Sequence, residues 1–350
     1  MKIIHIDSGR DWRGGQRQVY TLHNMLSNQG YDSYLICNNK GLLYQRAKIN
    51  NLSHLYGFEY ISEISRKSKR QLNNIIGDIN PDIIHCHDSH SLGLIDQYPP
   101  EINVFHTRRV SYPINFFSRK YKYKKANVHI AVGENIRKYI ANFFENSFFI
   151  PSCIDTSRFE NLKKLKSFSQ NKTNLLFVGA FSKQKGIDVL IYAFKKLLTK
   201  QKNLALHLVG DGEMMKKIQL LVSENNLSSD VIFHGHKDKI EEYYISADYV
   251  IFPSIDGEGS SGVIKETFAA GKTLIASDLI DNLDLVKNNH NGFLFKNNCK
   301  DSLFKTLDKI LTKNIKIDQK ILKENALLYS CKKTTEKYIE LYEKFYNSKS

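Results

Sequence analysis

Short apolar runs alternate with amphipathic stretches along the first 150 residues. Residues 2–7 (KIIHID) form such a run, and after a polar loop Val19, Leu22 and Leu26 recur at helical spacing. The run predicts a buried strand, and the spacing predicts an amphipathic helix. Three further strands are predicted at 81–87, 102–107 and 126–133. Strands that alternate with helices indicate a parallel sheet covered by helices.

The alternation stops near Pro151 and resumes after a Lys- and Ser-rich stretch that ends at about residue 172. Strands are then predicted at 174–181, 204–210, 231–235, 249–254 and 273–277. Because ligands of such sheets bind beyond the carboxyl ends of the strands, we predict an α/β protein of two facing Rossmann-like domains with an interdomain cleft. The predicted domains are 1–152 with a C-terminal helix at 333–350, and 153–332.

The composition supports two folded domains. The chain has 350 residues, 41% of them hydrophobic and 25% charged, which is enough for two cores. Asp7 and Arg10 interrupt the N-terminal apolar run before it reaches signal-peptide length, and no stretch approaches a membrane span. The five cysteines are scattered without a CxxC pair, so neither a disulfide framework nor a zinc site is supported. These features predict a cytoplasmic protein.

The net charge of +15 indicates an anionic partner. Nucleotide sugars, acidic phospholipids and nucleic acids are all attracted by such a field. A solvated basic surface with no specific partner explains the same charge. The charge alone therefore does not choose among these partners.

The segment 253–271 (PSIDGEGSSGVIKETFAAG) carries the strongest functional motif. Glu258 and Glu266 flank a turn of small residues that opens a predicted helix, formed by Ser260, Ser261, Gly262 and Val263. A helix N-terminus presents unpaired N–H groups and a positive dipole end, which suits a diphosphate. The carboxylates can accept hydrogen bonds from sugar and ribose hydroxyls. An ordinary loop with two solvated acids is the alternative.

With this motif the chain resembles the retaining GT-B glycosyltransferases of family 4. In that family two glutamates eight positions apart meet the donor sugar and the ribose, and Glu258 and Glu266 match them. The resemblance extends through LLFVGAFSKQKG (175–186), LVGDGE (208–213) and NHNGFLF (289–295). It implies that the second domain binds a nucleotide-diphosphate sugar, that the first receives the acceptor, and that no protein-bound metal or other cofactor takes part.

The resemblance also assigns residues to the diphosphate. Lys185 matches the family lysine that neutralises the leaving group, and Gly14 with Gly15 matches a glycine-pair loop that approaches the phosphates. The arginine that the family usually carries after the strand glycine is replaced here by Ala180. Three residues are candidates to supply the missing charge: Lys183, Arg13 and Arg17.

Histidines end two strands of the first domain. His106 in VFHT resembles the family histidine beside the donor sugar and the acceptor, so we predict it as a catalytic residue with Lys185 and Glu258. His87 is the second choice, on the acceptor side. His85 and His87 lie on the same side of their strand, a spacing that could suggest a metal. No further well-spaced ligand follows, so we predict no metal site.

No acidic residue occurs between Ile102 and Gly133, where cations and aromatic residues interleave. The cations are Arg108, Arg109, Arg119, Lys120, Lys122, Lys124 and Lys125, and the aromatic residues are Tyr112, Phe116, Phe117, Tyr121 and Tyr123. Since the resemblance places the acceptor on this side, we predict Arg108 and Arg109 as acceptor-side residues. The segment is predicted to face a glycan or lipid-linked acceptor, or the anionic membrane that carries it. No nucleic-acid module is recognisable, so nucleic acid is not expected; a solvated helix with a buried aromatic face is the alternative.

The predicted function is sugar transfer from a nucleotide-diphosphate donor to an acceptor hydroxyl with retention. The expected setting is cell-envelope polysaccharide, lipopolysaccharide or glycolipid synthesis, in the cytoplasm or on the inner face of its membrane. A nucleotide-sugar epimerase or hydrolase of the same fold would need carboxylates near the sugar, for which Asp88 and Glu134 are candidates. A non-catalytic binder of anionic membrane or nucleic acid is the alternative from another class.

Overall fold

A computed structural model describes residues 1–256 and 259–348 and divides the chain into two compact units. Unit 1 comprises Met1–Cys153 and Cys331–Ser350, and unit 2 comprises Ile154–Ser330. Each unit contains one parallel sheet, of seven strands in unit 1 and six in unit 2. The predicted α/β class with two Rossmann-like sheets is therefore confirmed.

The first 150 residues of unit 1 form seven strands and five helices. In chain order these are β1 (Lys2–Asp7), α1 (Gly14–Asn28), β2 (Asp32–Asn38), α2 (Leu42–Ile49), β3 (Leu55–Phe58), α3 (Arg66–Ile79), β4 (Ile83–Cys86), α4 (Ser89–Leu94), β5 (Asn103–Arg108), β6 (Val128–Ala131), α5 (Glu134–Ala141) and β7 (Ser147–Phe149). The strand order is β3-β2-β1-β4-β5-β6-β7. The order reverses between β1 and β4, which is where doubly wound sheets bind ligands.

Unit 2 repeats the same architecture. Its elements are β8 (Thr173–Val178), α6 (Ile187–Leu198), β9 (Leu204–Val209), α7 (Met215–Glu224), β10 (Val231–Gly235), α8 (Glu241–Ser246), β11 (Tyr249–Phe252), α9 (Gly262–Ala269), β12 (Thr273–Ser277), α10 (Ile280–Leu283), β13 (Phe293–Phe295), α11 (Lys300–Thr312) and α12 (Gln319–Leu327). The strand order is β10-β9-β8-β11-β12-β13, with its reversal between β8 and β11.

Side chains of the central strands enter apolar clusters on both faces of each sheet. On β8, Leu175 and Phe177 belong to one cluster, and Leu176 and Val178 belong to another. Successive side chains of a strand point to opposite faces, so this division means that helices cover both faces. That is why the strands appear in the sequence as continuous apolar runs rather than as an alternation of apolar and polar residues.

The last helix, α13 (Cys331–Asn347), is part of unit 1. Tyr342 is fully buried, and its hydroxyl lies 2.6 Å from Nδ1 of His85 on β4. Asn103 on β5 donates a hydrogen bond of 2.9 Å to the carbonyl oxygen of Phe345. No helix in the described ranges 1–256 and 259–348 is long and apolar enough to cross a membrane.

The structure adds four strands to the predicted set: β2, β3, β7 and β13. The basic segment (residues 108–125) is helical from residue 116 to residue 125, with a π-helical turn at Ser118–Lys122 and a 3₁₀ turn at Tyr123–Lys125. Tyr123 alone among its five aromatic residues is buried. The segment therefore contains a largely solvated helix, but four of these five aromatic residues are exposed and do not form a buried face.

Candidate active site

Lys185 lies where two loops of unit 2 approach each other. Gly186 follows it with φ of 59°, and a Cβ atom there would lie 2.2 Å from the carbonyl oxygen of Pro253. Only glycine permits both the positive φ and this close approach. The approach brings the Lys185 ammonium to the carboxyl end of β11, 5.6 Å from the centre of the Phe252 ring.

Glu266 lies on the first turns of helix α9. Its Oε2 accepts a hydrogen bond of 2.9 Å from the hydroxyl of Tyr244. Burial raises the pKa of Tyr244 well above 10, and Glu266 adds to the shift, so the phenol stays protonated and donates. Oε1 of Glu266 lies 3.9 Å from the position of a Cβ at Gly262, the exposed first residue of the helix. The carboxylate therefore flanks the helix N-terminus, as the motif predicted.

A lysine that the sequence analysis missed supports this turn. Lys265 is fully buried, and its ammonium donates a hydrogen bond of 2.6 Å to Oγ of Ser260 and lies 5.3 Å from the centre of the Tyr329 ring. Ser261, 5% exposed, precedes the helix, and Val263 is half-buried in its first turn. The sequence feature that could have pointed to Lys265 is its place among the buried positions of the helix. The predicted Glu258 lies outside the described residues.

Lys183 and Ala180 are both exposed on the loop after β8. Lys183 contributes to a cavity of about 640 Å³ between α6 and α7, whose wall includes neither Lys185 nor Glu266. Arg13, another candidate for the missing cation, has a side chain that is 80% exposed and pairs with Asp11 at 2.8 Å. The structure therefore places Lys185 at the carboxyl end of β11 and Glu266 on the helix that follows β11, whereas Lys183 lines the cavity between α6 and α7.

In unit 1 a cavity of about 300 Å³ lies at the carboxyl ends of β1, β4 and β5. Its wall contains the predicted residues Gly15, His87, His106, Arg108 and Arg109. Gly14, the first residue of α1, is not in this wall. Among the described atoms nothing lies within 4 Å of a Cβ built at Gly14, whereas one at Gly15 would lie 3.5 Å from Cδ of Arg109. Neither position requires glycine for space in unit 1.

His106 is 1% exposed, and its ring meets that of Tyr123 edge to face at 4.9 Å. Its Nδ1 has no hydrogen-bond partner among the described residues. Burial lowers the pKa of His106 well below 6.5, and His129 and Arg108 lower it further. The ring is therefore neutral near pH 7, the form that can accept a proton from a hydroxyl.

Three buried histidines form a cluster: His5 on β1, His85 on β4, and His87 directly after β4. Nitrogen atoms of His5, His85 and His87 all lie within 4.8 Å of one another, a spacing that a metal ion could bridge. Their nitrogens already have partners: His87 bonds His5 at 2.9 Å and Arg109 at 3.3 Å, and His85 bonds Thr107 at 2.7 Å as well as Tyr342. Only Nε2 of His5 lacks one within the described residues. The cluster fits a hydrogen-bond network better than a metal centre.

Arg108 and Arg109 differ in what their guanidinium groups contact. Arg108 is 6% exposed and donates to the hydroxyl of Tyr123 at 2.6 Å and to the carbonyl oxygen of Tyr112. Arg109 is half-buried and donates to His87. Arg108 therefore supports the segment that follows it, whereas Arg109 has donors left for a ligand.

A carboxylate that the sequence analysis did not select, Asp7, also lines the cavity. Both of its oxygens accept from Nε2 of Gln16 at 3.1 Å, and Oδ1 also accepts from the amide of Gly9. Burial raises the pKa of Asp7 to about 6, and the charge of Asp88 adds to the shift. Its place at the end of β1, a strand that the pattern did predict, was the available signal.

The carboxylates proposed for an epimerase or hydrolase have structural partners. Asp88 caps helix α4 by accepting from the amides of His90 and Ser91 at 2.8 Å, and its other oxygen accepts from the amide of Ser8. Glu134 forms a bidentate pair with Arg137 at 2.6 and 2.8 Å. These contacts give both acids a role in the fold.

Comparisons with known proteins agree on one family. The family Glycosyltransferase Family 4 matches residues 12–158, and Glycosyl transferases group 1 matches residues 158–328. An uncharacterized glycosyltransferase of Methanocaldococcus jannaschii is 29% identical over 329 residues, which cover 91% of this chain and 89% of the relative. A lipopolysaccharide 1,2-N-acetylglucosaminetransferase of Salmonella typhimurium is 35% identical over 129 residues, 34% of this chain and 33% of the relative.

Among solved structures, HepE of Anabaena in complex with UDP superposes with a TM-score of 0.81 and 15% identity, covering 98% of this chain and 100% of that one. At this identity the likeness establishes the GT-B fold. With the two family matches, it shows that the chain belongs to the retaining family 4 (group 1) glycosyltransferases, enzymes that transfer a sugar from a nucleotide sugar. The resemblance noted from the sequence is confirmed at this level.

Proposed function

We propose that unit 2 binds the nucleotide-diphosphate sugar at the carboxyl ends of β8 and β11. Two observations support this assignment: a cation at the carboxyl end of β11, Lys185 beside Phe252, and a carboxylate at the start of the helix that follows β11, Glu266 beside Gly262. In this proposal the diphosphate lies against Lys185 and the first turn of α9, at Ser260, Ser261, Gly262 and Val263, and the ribose hydroxyls bond Glu266. Glu258 is proposed to contact the donor sugar, as the family resemblance implies.

We propose that the acceptor hydroxyl binds in the cavity of unit 1. His106 supports this because it lines the cavity and its ring is neutral. Lys185 neutralises the negative charge that develops on the leaving diphosphate. The acceptor hydroxyl attacks from the face that the diphosphate leaves, which retains the anomeric configuration, and its proton goes to the departing phosphate or to His106. Gly14 and Gly15 are proposed to let the α1 loop approach the phosphates.

We further propose that the acceptor is a lipid-linked or envelope glycan presented at the cytoplasmic face of an anionic membrane. The Salmonella relative named above acts on lipopolysaccharide by its name, which supports this class. The structure gives a second argument: Phe116, Phe117 and Tyr121 are 59%, 72% and 63% exposed next to Arg119, Lys120 and Lys124. Exposed aromatic rings among cations suit the headgroup layer of a membrane.

The donor assignment can be tested by thermal-shift titration with UDP-, GDP-, ADP- and CMP-sugars, followed by calorimetry with the best one. UDP-sugars come first because the similar HepE structure contains UDP. We expect one nucleotide class to stabilise the chain, and its sugar to be consumed when an acceptor extract is added. Absence of stabilisation by all four classes, with the parent folded, would refute the proposal.

A further inference from the structure

Three side chains connect the cavity wall of unit 1 with its core. Nη2 of Arg109 lies 3.3 Å from Nδ1 of His87, and Nε2 of His87 lies 2.9 Å from Nδ1 of His5. His87 is 2% exposed and His5 is 0% exposed, so protein groups provide these hydrogen bonds. The chain starts at a residue that lines the cavity and ends on β1.

Arg109 sets the direction of every hydrogen bond in this chain. A guanidinium group has five N–H donors and no acceptor, and it remains protonated in proteins. Nδ1 of His87 must therefore accept, so a neutral His87 carries its proton on Nε2 and donates to Nδ1 of His5. His5 in turn carries its proton on Nε2, the atom that has no partner among the described residues.

Both rings are held in this neutral state. Burial lowers the pKa of His87 well below 6.5, and the neighbouring histidines and Arg109 lower it further. Burial likewise lowers the pKa of His5. The ring of His85 packs on that of His87 with centres 3.9 Å apart, and His85 is itself fixed by Thr107 and Tyr342. His87 therefore has little freedom to turn a nitrogen toward the cavity.

This arrangement assigns different roles to His87 and Arg109. Both ring nitrogens of His87 are used within the chain, so neither is left to exchange a proton with a substrate. Arg109 uses one donor on His87, its Nε is buried without a partner among the described residues, and its side chain lines the cavity. An arginine offers a planar set of donors that suits the oxygens of a sugar or phosphate.

We propose that His5 and His87 are positioning residues that hold Arg109 in the cavity wall, where Arg109, and not His87, donates hydrogen bonds to an oxygen of the acceptor. The acceptor part of this inference rests on the proposed function. The tautomers of the two histidines do not, so they can be measured separately.

The tautomers are measured by ¹⁵N–¹H correlation spectra of the full chain labelled at its histidines, with His87→Gln used to assign the signals. We expect the proton of His87 on Nε2 in the parent and in His5→Asn, because the asparagine carbonyl can accept in place of Nδ1. In Arg109→Met, which removes the donor to Nδ1, the population should shift toward the Nδ1–H form. In His5→Leu Arg109 still donates to Nδ1, so the proton of His87 should stay on Nε2. A proton on Nδ1 of His87 in the parent would overturn the inference.

The positioning role is measured by UDP release from UDP-glucose in the presence of rough lipopolysaccharide. Misplacing Arg109 should lower kcat by about tenfold to a hundredfold in Arg109→Met and His5→Leu, with UDP affinity unchanged. His5→Asn should stay within about threefold of the parent. Equal kcat in all four proteins would overturn the role of Arg109. If the parent itself releases no UDP, the proposed function fails under these conditions, and the tautomer measurement still decides the hydrogen-bond chain.

Discussion

Replacing Glu266 by glutamine tests the donor site with the smallest change of shape. The substitution removes the negative charge but keeps an oxygen that can accept from the hydroxyl of Tyr244, the contact that now measures 2.9 Å. The other carboxylate oxygen, Oε1, which lies near Gly262, is replaced by an NH₂ group. A ribose hydroxyl that donated to a carboxylate there would lose its charged acceptor.

The expected loss of nucleotide affinity follows from these contacts. A hydrogen bond to a charged group contributes about 1.5–3 kcal/mol, which corresponds to a factor of about 10–150 in Kd. Glu266→Gln should lie near the lower end, because a ribose hydroxyl can also accept from the new NH₂ group. Glu266→Ala should lie near the upper end, since it removes both oxygens. The loss of affinity in Tyr244→Phe should be smaller than in either Glu266 variant, because the carboxylate keeps its charge and loses only the hydroxyl that orients it.

The assay is isothermal titration calorimetry of the nucleoside diphosphate selected by the thermal-shift screen. Glu324→Gln is the matched control, because it makes the same chemical change at an exposed position on α12. Thermal unfolding of each variant shows whether it is folded. If Glu266→Gln and Glu266→Ala bind the nucleotide as tightly as Glu324→Gln does, the ribose assignment is wrong.

Three further predictions follow from the same structure. Lys185→Met should lower kcat by about tenfold to a thousandfold in steady-state assays while the exposed Lys183→Met does not; equal effects would contradict the choice of lysine. Burial lowers the pKa of His23 from 6.5 to about 4, so the unfolded state binds the proton more tightly than the folded state does. The free energy of unfolding should therefore decrease as the pH falls from 6.5 toward 4. Urea unfolding should show a steeper decline in this range for the parent than for His23→Gln, and parallel curves would contradict it. The triple change of Arg119, Lys120 and Lys124 to glutamine should abolish salt-sensitive sedimentation with anionic vesicles, and equal pelleting with the parent would leave the membrane proposal without support.

The sequence predicted the central strands because they are buried on both faces. Residues 3–6 are apolar except for His5, residues 175–178 are all apolar, and the structure places β1 and β8 in the interior of their sheets. Three of the four missed strands are edge strands: β3 has only Phe58 buried, β7 has three half-buried residues, and β13 has only Phe295 buried. The fourth, β2, is mostly buried and was missed all the same. Edge strands carry a weaker hydrophobic signal, since one side of each lacks a covering neighbour.

The candidate site was partly predictable for a different reason. The family resemblance selected Lys185 and the spacing of the two glutamates selected Glu266, and both positions can be read from the local chain, one after a strand and one near a helix start. The chain from Arg109 to His5 joins residues more than 80 positions apart, and no local pattern encodes such a contact. Lys265 escaped notice because a lysine on a helix is usually solvated, and its burial depends on Tyr329 of a distant segment.

The number of cations in the basic segment overstates the positive charge that is available to a membrane. Arg108 is bonded to Tyr123, Lys122 donates to Glu63 at 3.0 Å, and Lys125 donates to the carbonyl oxygens of Gly93 and Ile95 at 2.8 and 2.7 Å. Three exposed or half-buried cations then remain beyond the cavity: Arg119, Lys120 and Lys124. At about 1 kcal/mol each near an anionic surface they supply about 3 kcal/mol, too little for stable anchoring by charge alone. Membrane binding through this segment must therefore also depend on its exposed aromatic rings, and it should be reversible.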